Sequence, residues 1–313
     1  VIELQFAHEP VLLEESLEAL KLKPKGVYVD CTLGGAGHSL AMLATEPSIR
    51  LIGIDQDPQA IARAKYRLVN YTGQVSLVHD NFRNLKAILT ALGIEKVHGI
   101  LMDIGVSSPQ LGEGARGFSY QKEGRLDMRM DPNNPVDAWA LVNTYSEKEL
   151  TKIISDYGEE RWAARISEFI VKRRQREPID TTFDLVEVIK NAIPAGARGG
   201  EGHPARRTFQ ALRIAVNDEL GALKEALEQA VEVLYPAGRL AVISFHSLED
   251  RLVKNHFQNL LGRCTCPPGL PVCACDQTPV LRLVTRRPIE ASPSEVSVNP
   301  RARSAKLRVA EKI

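Results

Sequence analysis

No stretch of this 313-residue chain approaches the roughly 18 apolar residues needed to span a bilayer, and its first residues lack a basic segment leading into a hydrophobic one. The expectation is a soluble, cytoplasmic protein with no membrane partner. An excess of either charge is missing too. Forty Lys and Arg meet 39 Asp and Glu, a formal net charge of +1, so nucleic-acid binding has no support from bulk basicity. Local clusters must carry it instead. Arg161, Arg165, Lys172, Arg173, Arg174 and Arg176 form one, Arg198, Arg206, Arg207 and Arg213 another, and Arg301, Arg303, Lys306 and Arg308 a third; solvated helix faces are the plain alternative for all three. Cysteine is scarce, five in the whole chain, which excludes a disulfide scaffold. There is no internal repeat and no low-complexity tract.

What is present is ample apolar material, 44% hydrophobic against 25% charged, enough for one large core and a smaller second one. The first hundred residues alternate short β-branched runs with helical patterns, the signature of a parallel sheet with crossover helices. Strands are expected at Val27–Cys31, Leu51–Asp55, Val75–His79 and Gly99–Asp103, with a helix starting at Pro58 after Asp57. The rhythm then breaks, and no convincing buried strand returns until Leu240–Phe245; Leu281–Thr285 and Lys306–Val309 complete the set. An insertion fills the gap. Its first part, Gly105 to Pro135, has the Gly, Pro and Ser density of an ordered functional loop. Its later part is helical, with Ser146 and Glu149 as a capping box and one long pattern running from Phe209 to Leu227. The expected division is 1–108 and 214–313 around an inserted all-helical, substrate-recognising domain at 109–213.

A strand ending in Asp30, then Gly34, Gly35 and Gly37, then a helix from about His38, lets a ligand approach bare backbone N–H groups. Such a turn alone also fits dinucleotide enzymes. Asp55 ends the second strand some 20 residues on, where a carboxylate can accept from both ribose hydroxyls. Phe82 follows the third strand and suits either an adenine ring or the core. After the fourth strand comes Asp103-Ile104-Gly105-Val106-Ser107-Ser108-Pro109-Gln110, at the carboxyl edge where open α/β sheets bind ligands. A carboxylate there suits a cationic, amino-acid-bearing cofactor or an amine substrate. It has no evident role in hydride transfer, which counts against a nicotinamide-dependent oxidoreductase. A non-catalytic RNA-binding protein on the same fold stays open.

With those motifs in place, the chain resembles the bacterial ribosomal RNA small-subunit methyltransferase H family (RsmH/MraW). The likeness runs nearly end to end, through His8-Glu9-Pro10-Val11-Leu12-Leu13, the glycine turn, Asp103 to Leu111, Arg116-Gly117-Phe118-Ser119, Leu126-Asp127-Met128-Arg129-Met130-Asp131 and Tyr157-Gly158-Glu159-Glu160. It continues through Arg207-Thr208-Phe209-Gln210-Ala211-Leu212-Arg213, Ser244-Phe245-His246-Ser247-Leu248-Glu249-Asp250-Arg251 and Asn299-Pro300-Arg301-Ala302-Arg303-Ser304. The resemblance implies a class I S-adenosylmethionine-dependent methyltransferase: α/β, Rossmann-like, with a mostly parallel seven-stranded sheet and an inserted helical domain. It implies N4-methylation of a cytidine in the decoding region of 16S rRNA, within the small ribosomal subunit. It implies cofactor binding by Ala36, Gly37 and His38 and by Asp55, Phe82, Asp103 and Gln110, to which the reading of the turn itself adds Gly34 and Gly35. Ala36 departs from members that carry two glycines in a row.

The cytosine amine is a weak nucleophile, because its lone pair is delocalised into the ring. Its site must therefore align it and accept its hydrogen bonds. Asp103, Ser107, Ser108 and Pro109 are the candidate catalytic residues, with His246 as a second holder of the base or a structural histidine. Four of the five cysteines crowd into Cys264-Thr265-Cys266 and Cys273-Ala274-Cys275. Four thiols suffice in number for a structural zinc, but the spacing is tighter than in usual zinc knuckles, so disulfide and free thiol remain alternatives. A homodimer is the candidate oligomer.

Overall fold

The computed structural model describes residues 10–197, 202–262, 266, 275 and 278–313. His8, Glu9, Arg198, Cys264 and Cys273 fall outside the described residues. The chain divides into two compact units, Val1–Gly105 with Leu220–Ile313, and Val106–Glu219.

Helix α1 (Leu13–Leu20) leads into alternating strands and helices: β1 (Val27–Asp30), α2 (Gly37–Thr45), β2 (Arg50–Asp55), α3 (Pro58–Arg67), β3 (Val75–His79), α4 (Leu85–Ala91) and β4 (Val97–Asp103). Local chemistry sets the helix starts. Asp57 accepts from Gln59 N at 2.9 Å, and Pro58, lacking an N–H, occupies the first turn at no cost. The second unit follows as α5 (Ser108–Gly112), α6 (Ala138–Thr144), α7 (Glu147–Gly158), α8 (Ala163–Arg174), α9 (Thr182–Ala192) and α10 (Arg206–Asn217). The chain then returns to the sheet through α11 (Glu219–Val233), β5 (Leu234–Ser244), α12 (Ser247–Asn259), β6 (Leu281–Leu283), β7 (Ile289–Glu290), α13 (Pro293–Val298) and β8 (Lys306–Lys312).

The strand order is β3-β2-β1-β4-β5-β8-β6, with β7 attached to β8. Strands β1 to β5 are parallel, while β8 runs antiparallel to β5, β6 and β7. All seven strands expected from sequence lie on this path, and the two-residue β7 adds an eighth. Alternate strand residues feed two cores. Val29, Ile52, Ile100 and Val242 pack on one face with α4, α11 and α12; Tyr28, Leu51, Leu101 and Ile243 pack on the other with α1, α2 and α3. This places β1, β2 and β4 side by side, so that their carboxyl ends carry Asp30, Asp55 and Asp103 along one edge.

Two elements differ from the sequence reading. Strand β5 begins at Leu234 and runs through Pro236-Ala237-Gly238, because a register shift between the Val97 and Gly99 pairings absorbs Ala237 at φ 59°. The single pattern from Phe209 to Leu227 is two helices, broken where Asp218 takes φ 46°. Side-chain bonds hold that break: Asn217 accepts from Met130 N at 2.8 Å and donates to Met128 O at 2.8 Å, while Arg213 grips Glu219 with two bonds.

The second unit has its own core, built from Phe118, Leu126, Met128, Leu150, Ile166, Leu185 and Phe209 among others. Capping boxes at Ser146 with Glu149 and at Thr181 with Asp184 start α7 and α9. The polar segment Arg125 to Asp131 suggests a loop that orders only on docking, but it is packed already. Leu126 and Met128 are fully buried, and Asp127 forms a two-bond pair with Arg129 at 2.9 and 2.7 Å. No helix among the described residues is long and apolar enough to cross a membrane.

Candidate functional site

The glycine turn, which leaves β1, is held by the two strands beside it. Cys31 N donates to Leu101 O on β4, Leu33 N to Ile54 O on β2, and Thr32 Oγ1 accepts from Asp103 N at 2.6 Å. Ala36 then caps α2 at φ 57°, in the left-handed region that favours glycine. Ala36→Gly should therefore be nearly neutral: relief of about 1 kcal/mol of backbone strain is offset by about 0.8 kcal/mol of lost methyl burial. Urea denaturation checks this, and a change beyond about 1.5 kcal/mol in either direction would contradict the balance. Gly37 is required for a different reason. A Cβ there would sit 2.4 Å from Pro10 Cγ, so the backbone packs directly on the proline.

Beneath the turn lies a buried polar chain. Ser39 Oγ donates to Asp30 Oδ2 at 2.6 Å, and His38 places Nε2 3.1 Å from Val11 O and Nδ1 3.8 Å from Asp103 Oδ2. Val11 O can only accept, so Nε2 carries the proton of the neutral ring, and burial holds His38 below its ordinary pKa. Burial likewise raises Asp30 above the usual carboxylate range, opposed by the Ser39 hydroxyl.

Asp103 ends β4 with Oδ1 buried and without a hydrogen-bond partner among the described residues. Burial first, then the negative charges of Asp30 and Glu249, push its pKa up to about 8. A quarter of the side chain stays open. Such a carboxyl lacks the cation that would stabilise its charge. Asp55 accepts from Gly34 N at 2.7 Å through Oδ2 and from Asp57 N at 2.8 Å through Oδ1. Each oxygen retains a lone pair, so two hydroxyls can still be held. Burial pushes Asp55 up to about 6 despite those two donors.

Phe82 opens a short 3-10 turn after β3, half-buried against the sheet core, while Asn81 caps that turn and reaches Gln56 Oε1 at 2.9 Å. The loops after β2 and β3 are thereby braced together. His246 is the N-cap of α12: its Nδ1 accepts from Glu249 N at 3.4 Å, and its Nε2 lies 3.0 Å from Glu249 Oε1. The fully buried Glu249 accepts through Oε2 from Phe245 N at 2.8 Å and His246 N at 3.2 Å. His246→Ala should lose about 1 kcal/mol from the missing cap, and His246→Asn, which keeps an acceptor, should restore it. A fall in turnover of the asparagine variant at unchanged stability would assign the ring a contact with substrate instead.

In the second unit, Ser107 caps α5. Its hydroxyl accepts from Gln110 N at 3.5 Å, the Gln110 side-chain oxygen accepts from Ser107 N at 2.9 Å, and Pro109 occupies the first turn beside Ser108. Gln110 is buried. Of the four clustered cysteines, Cys266 and Cys275 are half-buried. Sequence reasoning assigned no role to Asp30 or Glu249. Asp30 carried a signal, a carboxylate at a strand end just before a glycine turn, whereas Glu249 reads as an ordinary helix residue.

A parallel sheet in this order, closed by an antiparallel strand and carrying carboxylates on the ends of β1, β2 and β4, is the Rossmann-like arrangement of a class I methyltransferase. The sequence pattern of the MraW methylase family matches residues 5–313, and the chain belongs to that family. It is similar to the ribosomal RNA small subunit methyltransferase H of Heliobacterium mobile, at 57% identity over 99% of this chain and 100% of the relative. The protein of the same name from Symbiobacterium thermophilum is 55% identical, over 98% of this chain and 97% of the relative. That from Brevibacillus brevis is 54% identical, over 99% of both chains.

Proposed function

We propose that the chain methylates the N4 exocyclic amine of a cytidine in the decoding region of 16S rRNA, within the small ribosomal subunit, using S-adenosylmethionine. The observation that carries this reading is the family match from residue 5 to 313, together with the name shared by its relatives. The donor set fits the cofactor. The orphaned Asp103 Oδ1 suits an ammonium group, and the spare lone pairs of Asp55 suit a ribose. Backbone N–H groups of Gly37 and His38 take the amino-acid end, with Gly34, Gly35 and Ala36, whose own N–H donates to Leu33 O, shaping the turn against it; Phe82 flanks the adenine, and Gln110 supports binding.

When bound, the cofactor supplies a methyl group activated by a sulfonium sulfur. The protein's own part is alignment. Asp103 and the Ser107-Ser108-Pro109 segment accept hydrogen bonds from the amine, so that its lone pair leaves conjugation with the ring. A methylated amine nitrogen would be strongly acidic, and a nearby acceptor such as the Asp103 carboxylate would take its proton. His246 serves as a second contact to the base. Two further proposals stand apart from this reading: a structural zinc on Cys264, Cys266, Cys273 and Cys275, for which the four thiols suffice in number, with disulfide and free thiols as its alternatives, and a homodimer; elemental analysis and light scattering test them.

The deciding experiment supplies labelled methyl donor to small subunits from a strain lacking the relative's gene, digests the RNA and identifies the nucleoside. Label in N4-methylated cytidine is expected. Label in any other nucleoside, or none, would overturn the assignment.

A further inference from the structure

The basic cluster from Arg161 to Arg176 is not uniform. Lys172 pairs with Glu168, Arg173 with Glu177 at 2.9 Å, and Arg174 spends its N–H groups on Val142 O at 2.7 Å and Tyr145 O at 2.5 Å. These three are occupied within the fold. Arg161 and Arg165 are different: both are exposed, and no carboxylate among the described residues lies within ion-pair distance of either. Each rests instead on an aromatic ring. The Arg161 guanidinium carbon lies 5.4 Å from the Trp162 ring centroid, and that of Arg165 lies 5.3 Å from the Phe169 centroid. Both rings are half-buried against the core of the second unit, so they are anchored.

We propose that Arg161, just before α8, and Arg165, in its first turn, held over Trp162 and Phe169, form a docking strip for the phosphate backbone of RNA. A guanidinium stacked on a fixed ring has already lost part of its rotamer freedom, yet its N–H edges remain available for phosphate oxygens. Two such cations complement a polyanion, and the carboxylate that feels Arg165, Glu168, is itself paired with Lys172. A flexible lysine already paired with its own helix does not. The strip deepens the RNA-methylating reading and depends on it.

The test measures binding of the full chain to deproteinised 16S rRNA and to small subunits across a potassium chloride series. The double variant Arg161→Ala, Arg165→Ala should bind RNA about tenfold or more weakly near physiological salt, with a salt slope shallower by about 1.5 to 2, one increment per lost phosphate contact. Lys172→Ala should leave both quantities unchanged. Thermal melting and S-adenosylhomocysteine affinity should match the unaltered protein in both variants. If the unaltered protein methylates subunits while the double variant keeps its affinity and slope, the strip is overturned and the proposed function stands. If the double variant loses affinity for subunits but not for naked RNA, the partner is a protein and the strip is again overturned. Failure of the unaltered protein to bind RNA would remove both.

Discussion

Asp103→Asn is expected to lower turnover by about a thousandfold, the scale of losing one preorganised electrostatic partner of a reacting group. Asparagine keeps the shape of the side chain at the end of β4 but carries no charge. Its effect should therefore appear in cofactor affinity as well as in the chemical step. The pH dependence gives a sharper measurement. In the free protein, burial beside Asp30 and Glu249 lifts the Asp103 pKa from 3.8 to about 8, so the carboxyl is mostly protonated at neutral pH. A cationic ligand stabilises only the ionised form. Its affinity should rise with pH, with a slope approaching one decade per unit below about 8, and level off above that. In the asparagine variant the slope should vanish. Calorimetric titration across this range decides it, and a flat profile in the unaltered protein would remove Asp103 from the cation site.

The same shift acts on stability with the opposite sense. A carboxyl whose folded pKa is raised binds more protons folded than unfolded between 3.8 and about 8. Its contribution is present below 3.8 and is lost as pH rises towards about 8, so the ligand-free protein weakens over that window. Ligand binding should then protect most strongly at the alkaline end.

Gly117→Ala is expected to destabilise the second unit by about 3 kcal/mol or more, although it adds only one methyl group. Gly117 has φ 70°, and an added Cβ would stand 2.3 Å from Arg125 O and 2.7 Å from Asp127 N. Both obstacles are backbone atoms, so no side-chain rotation relieves them. They belong to the loop that buries Leu126 and Met128, itself tied back by Met128 N to Arg116 O at 3.0 Å and by the Arg116 guanidinium to Arg129 O and Met130 O. Moving this backbone opens the core beneath. Urea denaturation followed by the fluorescence of Trp139 and Trp162 reads the effect; a loss below about 1 kcal/mol would mean that the loop yields where the packing says it cannot.

The strand ends Asp55 and Asp103, the cap at Asp57 with Pro58 and the box at Ser146 with Glu149 were legible because each depends on residues within a few positions of one another. Period and capping are short-range physics. The glycine turn was legible as a turn. Its reliance on Pro10 behind Gly37 was not, because that contact crosses 27 residues. His246 shows the limit most plainly. Its sequence position at a strand end suits a substrate contact, while only the fold shows that its Nδ1 caps α12 and that its Nε2 lies beside a buried Glu249 without a hydrogen bond.

By itself, the sequence determined the parallel sheet, the helical insertion and the set of polar residues available at the carboxyl edge, since hydrophobic period and turn chemistry are written locally along the chain. Tertiary structure alone decided which charges are in use and which are exposed. It spent Arg174 on Val142 O and Tyr145 O, broke the long helical pattern at Asp218 and surrounded Asp103 with Asp30, His38 and Glu249. Pairing and desolvation depend on what the fold brings within a few ångströms, and no spacing along the chain encodes that distance.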